Sequence, residues 1–83
     1  MPDSVYQRAL RLVTEGNGAD GRAIVDSLLE ALPPGSMDYA EALYWRAALA
    51  ETAAEAERGY QRLPIEYPLA SRTDAALFRL GQL

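Results

Sequence analysis

Apolar side chains recur at spacings of three and four along most of the chain. Val5, Tyr6, Ala9, Leu10 and Val13 form one such set; Ile24, Val25, Leu28, Leu29 and Leu32 form another. That is the period of helices with one buried face, and no segment alternates cleanly enough to be a strand. Five helix starts can be read. Ser4 precedes Gln7, Asn17 precedes Asp20, Asp38 precedes Glu41, Thr52 precedes Glu55, and Ser71 precedes Asp74. In each pair a side-chain acceptor is followed three residues later by an acid or amide, the pattern that satisfies orphan N–H groups at a helix start. Gly16-Asn17-Gly18, Pro33-Pro34-Gly35 and Pro68 supply the stops. The expected helices span residues 4–15, 18–32, 38–51, 53–67 and 71–82. Their short connections make consecutive helices antiparallel. Pro64 falls inside the fourth, where it removes one backbone bond and predicts a kink or a tightened last turn.

Composition strengthens the helical reading. Ala and Leu supply 15 and 12 residues, whereas Val, Ile and Thr together supply eight. The 83 residues make one small domain, without Cys for a disulfide or a Cys/His set for zinc. All eight cations are Arg, so Cys, His and Schiff-base Lys catalysis are absent from the repertoire. No cofactor is expected. The net charge of −4, with no basic cluster, argues against nucleic acid and anionic membranes as partners. The apolar runs are too short for membrane insertion, and the first residues lack the pattern of a signal peptide.

The chain also repeats itself. Val5-Tyr6 through Ala9 matches Leu43-Tyr44 through Ala47 at an offset of 38, and Leu77-Phe78 through Gly81 at a further 34. Gly21, Val25, Leu28 and Pro33 align with Ala56, Tyr60, Leu63 and Pro68 at an offset of 35. A small residue followed by bulky ones four and seven later lets one helix approach another and then pack on it. Two helices in a period of about 34 residues are the mark of a tetratricopeptide repeat.

On these residues the chain resembles the tetratricopeptide-type helical repeat proteins. The stretch Glu66-Tyr67-Pro68 through Leu80-Gly81 is closest in flavour to bacterial cell-envelope members, of the Tol–Pal coordinator and outer-membrane assembly lipoprotein type. The resemblance implies an all-α solenoid fragment: a repeat over about 4–33, a second over about 38–68, and the first helix of a third over 71–83. It also implies a location in the cell envelope or periplasm. In such proteins the first helices of each repeat line a concave surface that binds a peptide or protein. Here that surface would comprise Tyr6, Leu10, Tyr44, Ala48, Phe78 and Gln82, with Arg46 as an anion contact.

Each of these residues has a plainer reading. An aromatic stripe at helical spacing also builds a core, and Trp45 beside Tyr44 suits the packing between repeats. Arg46 has the planar fork that grips a carboxylate, and Asp26, Glu30 and Glu41 are all within its reach as internal partners. The 12 acids carry no EF-hand spacing, and several have Arg neighbours one turn away, as in Arg22–Asp26 and Arg62–Glu66. Gly16 to Gly21 follows a helix and lacks a Lys-Ser/Thr pair, so it reads as a hairpin turn rather than a phosphate cradle.

The last helix departs from the solubility rule for a terminal repeat, because its apolar residues spread over too wide an arc to face the fourth helix together. Leu77, Phe78, Leu80 and Leu83 therefore predict contact with another copy, most simply a two-fold dimer. The expected function is a non-enzymatic protein-interaction scaffold. The alternative is a structural module that self-associates through its C-terminal helix.

Overall fold

A computed structural model describes residues 4–83. These residues form five α-helices and no strand: α1 (Ser4–Thr14), α2 (Gly18–Ala31), α3 (Met37–Ala48), α4 (Ala53–Glu66) and α5 (Thr73–Gln82). The protein is all-α, and each helix packs chiefly on its neighbours in sequence. The principal extents are 31 × 28 × 20 Å.

Helix ends follow local chemistry more closely than the expected bounds did. After α1, Gly16 adopts φ +92°, its N–H donates to Val13 O, and Asn17 N–H donates to Leu12 O. This is the paired bonding of a glycine-terminated helix, and it caps two carbonyls left without partners. Leu32 ends α2 in an extended conformation because Pro33 follows it. Two expected caps are displaced. Ser36, rather than Asp38, caps α3: its Oγ accepts from Tyr39 N–H at 3.1 Å and donates to Pro33 O at 2.8 Å. Asp38 lies within the first turn, where its charge still complements the helix dipole. At α5, Arg72 holds the cap position and Thr73 begins the helix, two residues later than expected. The Thr73 hydroxyl is buried and donates to Tyr67 O at 2.6 Å, tying the start of α5 to the end of α4. Thr52 caps α4 as expected, accepting from Glu55 N–H. Pro64 lies within α4, which runs on to Glu66.

The core has two lobes with α3 as their common wall. Ala40, Leu43, Tyr44, Ala47, Tyr60, Leu63, Tyr67, Ala70 and Ala76 form one lobe. Ala9, Val25, Ala42 and Leu49 form the other, and Trp45 and Leu29 border both. Five buried residues on α3 reach round most of its circumference, the pattern of a central helix. Tyr67 adds a link between turns: its hydroxyl accepts from Gly35 N–H at 2.8 Å.

The two hairpins cross at matched small residues. A Cβ built on Gly21 would lie 2.5 Å from Ala9 O, and one on Gly59 would lie 2.7 Å from Ala47 Cβ. Both crossing pairs are 12 residues apart in sequence and separated from each other by 38 (9 to 47, 21 to 59). The counterpart of Gly21 is therefore Gly59, not Ala56, and the expected offset of 35 for the second helices is corrected to 38. The reason is that α3 ends one residue beyond its crossing point, whereas α1 runs five residues beyond, so the turn enters the second hairpin earlier. Val25 and Leu63, four residues after each glycine, are both fully buried.

Candidate protein-interaction groove

Met37, Glu41 and Trp45 stand one turn apart on α3 and so share a face. That face forms the middle wall of an open groove of about 710 Å³. Tyr6 and Gln7 of α1 bound it on one side, and Ser71 and Arg72, where the chain enters α5, bound it on the other. The groove thus runs across α1, α3 and the start of α5, the first helix of each hairpin and the unpaired last one.

Its aromatic wall is ordered by stacking. Tyr6 lies on Trp45 with ring centroids 5.3 Å apart and planes within 9° of parallel. Tyr44 meets the other side of Trp45 edge-on at 5.9 Å. Such pairs add about 0.5–1.5 kcal/mol beyond area burial. Glu41 joins the walls: its carboxylate accepts from Trp45 Nε1 at 2.9 Å and from Arg72 Nε through both oxygens, at 3.0 and 3.1 Å. The Arg72 guanidinium is also held over the rings of Tyr44 (5.1 Å) and Trp45 (5.7 Å). Its two terminal nitrogens make no hydrogen bond among the described residues, so a carbonyl or carboxylate can meet them without displacing Glu41. Burial first, then the charges of Glu41 and Asp38, hold the Tyr6 phenol above its ordinary value of 10.0. Tyr6 therefore faces the groove as a neutral hydroxyl, able to donate or accept. Met37, 58% exposed, adds a flexible apolar contact at the rim.

The residues expected to share one partner surface do not. Tyr6 lines the groove, whereas Leu10 is half-exposed on α1 and forms no part of its walls. Tyr44 is a core residue: it is 5% exposed, its ring packed near Tyr60 at 5.7 Å, because α4 covers the position that Tyr6 leaves open on α1. Arg46 points to the other side of α3, where its Nε donates to Asp26 at 2.6 Å. There it borders a separate cavity of about 260 Å³ with Leu29, Gly59 and Arg62. Ala48 and Gln82 border a third cleft, of about 250 Å³, between the α3–α4 turn and the end of α5. Phe78 is 67% exposed on the outer face of α5. Of the residues expected at a dimer contact, Leu77 and Leu83 are also at least half exposed, while Leu80 turns toward the core.

Met37, Glu41 and Arg72 were missed. The spacing of Met37, Glu41 and Trp45 is a usable signal, but Glu41, three residues after Asp38, equally fits a capping pair. Arg72 lies 31 residues from Glu41, and no local pattern joins them. Among the described residues, no group of three or more metal-ligating side chains assembles, and no helix is long and apolar enough to cross a membrane. The chain matches no protein-family model, no curated protein and no solved structure.

Proposed function

We propose that this protein is a non-enzymatic interaction module of the tetratricopeptide type, which receives a peptide segment of a partner protein in the groove across α1, α3 and the start of α5. The observation that carries the reading is the groove itself. It is an open trough with an ordered aromatic wall, a methionine at its rim and one guanidinium fixed by Glu41, its outer nitrogens without a hydrogen bond among the described residues. A closed pocket that desolvates a reacting group has a different shape. The matched crossings at Ala9–Gly21 and Ala47–Gly59 support the repeat reading, since they give both hairpins one packing rule. Arg and aromatic anchors surrounded by weaker contacts are the composition that concentrates binding energy at protein interfaces.

Trp45, the sole tryptophan, lies in this wall and reports on it. The test is to pan a displayed peptide library on the immobilised protein and measure the selected peptides by Trp45 fluorescence. Met37→Glu should weaken them about tenfold or more, with circular dichroism confirming that the variant folds. Arg58→Ala, on the exposed face of α4, should leave their affinity unchanged. Peptides that bind wild type and Met37→Glu equally would refute the groove assignment.

A further inference from the structure

The crossing of α3 and α4 gathers arginines as well as small residues. Arg46 and Arg58 each stand one residue before a crossing residue, Ala47 and Gly59, and the close approach of those two brings both arginines into one neighbourhood. Arg62, one turn after Arg58 on α4, joins them. All three line the open cavity of about 260 Å³ between α2, α3 and α4, whose apolar side is formed by Leu29, Leu43 and Ala47. Three of the chain's eight cations thus meet at one place, and Glu55 is the one acid among the lining residues. In a protein of net charge −4, three guanidinium groups against one carboxylate leave the lining of this cavity at +2.

We infer that this cavity is a second binding site, separate from the groove, and that it takes the phosphate of a phosphate monoester. The internal ion pairs hold two of the guanidinium groups in place without occupying them fully. Arg46 gives its Nε to Asp26, and Arg62 gives its Nε and one terminal nitrogen to Glu66. Neither Asp26 nor Glu66 lines the cavity. The two terminal nitrogens of Arg46 and the whole Arg58 guanidinium make no hydrogen bond or ion pair among the described residues. Arg46 and Arg58 are therefore the donors to the ligand, and Arg62 adds its charge beside them.

Charge and size decide between ligand classes. A carboxylate carries one charge and is matched by a single guanidinium fork. Here arginines from two helices flank one cavity with two charges in excess, which suits a tetrahedral dianion that offers several acceptor oxygens. A phosphate monoester comes close to that charge at neutral pH, since its second pKa is about 6. The cavity is smaller than the roughly 300–1,000 Å³ of sites that enclose a drug-sized ligand. It therefore surrounds the charged head and leaves the rest of the ester outside.

Amide NMR titration at constant low ionic strength tests the inference, with probes carried into the millimolar range. Glycerol phosphate stands for a free ester, N-acetyl-phosphoserine amide for a phosphorylated chain, and acetate for a carboxylate. Both phosphates should shift the amides around Ala47 and Gly59, the tighter of the two naming the source, and acetate should bind at least about tenfold more weakly. Arg58→Gln breaks no internal bond among the described residues and should weaken phosphate binding about tenfold or more. Glu55→Gln keeps the backbone N–H that Thr52 caps, removes the opposing charge, and should tighten binding about two- to fivefold. Arg11→Gln, on the exposed side of α1, should change nothing. Phosphates that shift no amide at the cavity, acetate that binds as tightly, or an Arg58→Gln loss no greater than that of Arg11→Gln would each overturn the inference. A Glu55→Gln protein that binds phosphate no tighter than wild type would do the same.

Discussion

The crossing of α3 and α4 gives the most exacting test of how the fold is held together. In wild type, Gly59 sits so close to α3 that an added Cβ would lie 2.7 Å from the Ala47 Cβ. Carbon atoms at ordinary contact stand about 3.5–4.0 Å apart, so Gly59→Ala must push the two helices apart by about 1 Å. That separation loosens Tyr44, Tyr60 and Leu63, all at most 5% exposed in the same cluster. Overpacking against a short, rigid methyl costs about 2–3 kcal/mol, and alanine returns about 1 kcal/mol of helix propensity. The net loss is about 1–2 kcal/mol, a fall of roughly 5–15 °C in the melting temperature of so small a domain. Ala47→Gly alone loses propensity and a buried methyl, for a similar cost. The exchange of both residues puts the single methyl on the opposite helix and conserves volume and composition. Urea denaturation of the four proteins should therefore find the exchanged form within about 1 kcal/mol of wild type, with a coupling energy of about 2–3 kcal/mol. A Gly59→Ala protein as stable as wild type, or an exchanged form no better than the sum of the single changes, would refute close helix approach as the reason for glycine at this position.

Two further predictions follow from single groups. The Tyr6 and Tyr60 phenols are both held above 10.0, chiefly by burial, and in Tyr60 the charge of Arg79 partly opposes the rise. The neutral phenol is thus favoured by folding: its stabilisation is complete below pH 10 and is lost as pH rises through the raised values, so urea midpoints should fall at alkaline pH and Tyr6→Phe should flatten that fall. Thr73→Val keeps the shape of the side chain but removes the 2.6 Å bond to Tyr67 O, and Ala70 N–H still donates to that carbonyl. It should cost about 1 kcal/mol in urea denaturation, and a change within error would show that the hydroxyl does not hold α5 to α4.

Helix number and order were legible because each helix carries its own period and punctuation. Gly16 stops α1 where only its neighbours in sequence need be consulted, and Thr52 caps α4 for the same reason. Boundaries shifted where a tertiary partner competed. Thr73 begins α5 because its hydroxyl binds the carbonyl of Tyr67, six residues back, which a cap rule centred on Ser71 does not consider. The alignment of Gly21 through Pro33 with Ala56 through Pro68, which shares the spacing of the caps Asn17 and Thr52, likewise gives 35 for the second helices, while packing registers on the glycines and gives 38. A cap marks where a helix starts; a crossing glycine marks where it touches, and one extra turn before the crossing separates the two.

The groove was half legible, and the missing half has a physical cause. Repeat equivalence treats Tyr6, Tyr44 and Phe78 as one class, yet their environments run from a groove wall through a core to an open face. Each helix in a short stack has different neighbours: α3 has a helix on either side, α1 has the groove beside Tyr6, and α5 has one bare flank. Equivalent residues share a position on their own helix and not a solvent environment, so sequence equivalence locates a face without saying what lies against it. Trp45 shows the consequence. It sits one residue from Tyr44, about 100° further round α3, and that rotation takes it from the core edge into the groove, where Tyr6 and Glu41 meet it. Arg72 then joins from the far end of the chain, and its position over two rings exists only once α4 has been laid against α3. A binding surface assembled from separate helices is thus written in the packing registers, and the glycine crossings are the residues from which those registers can be read.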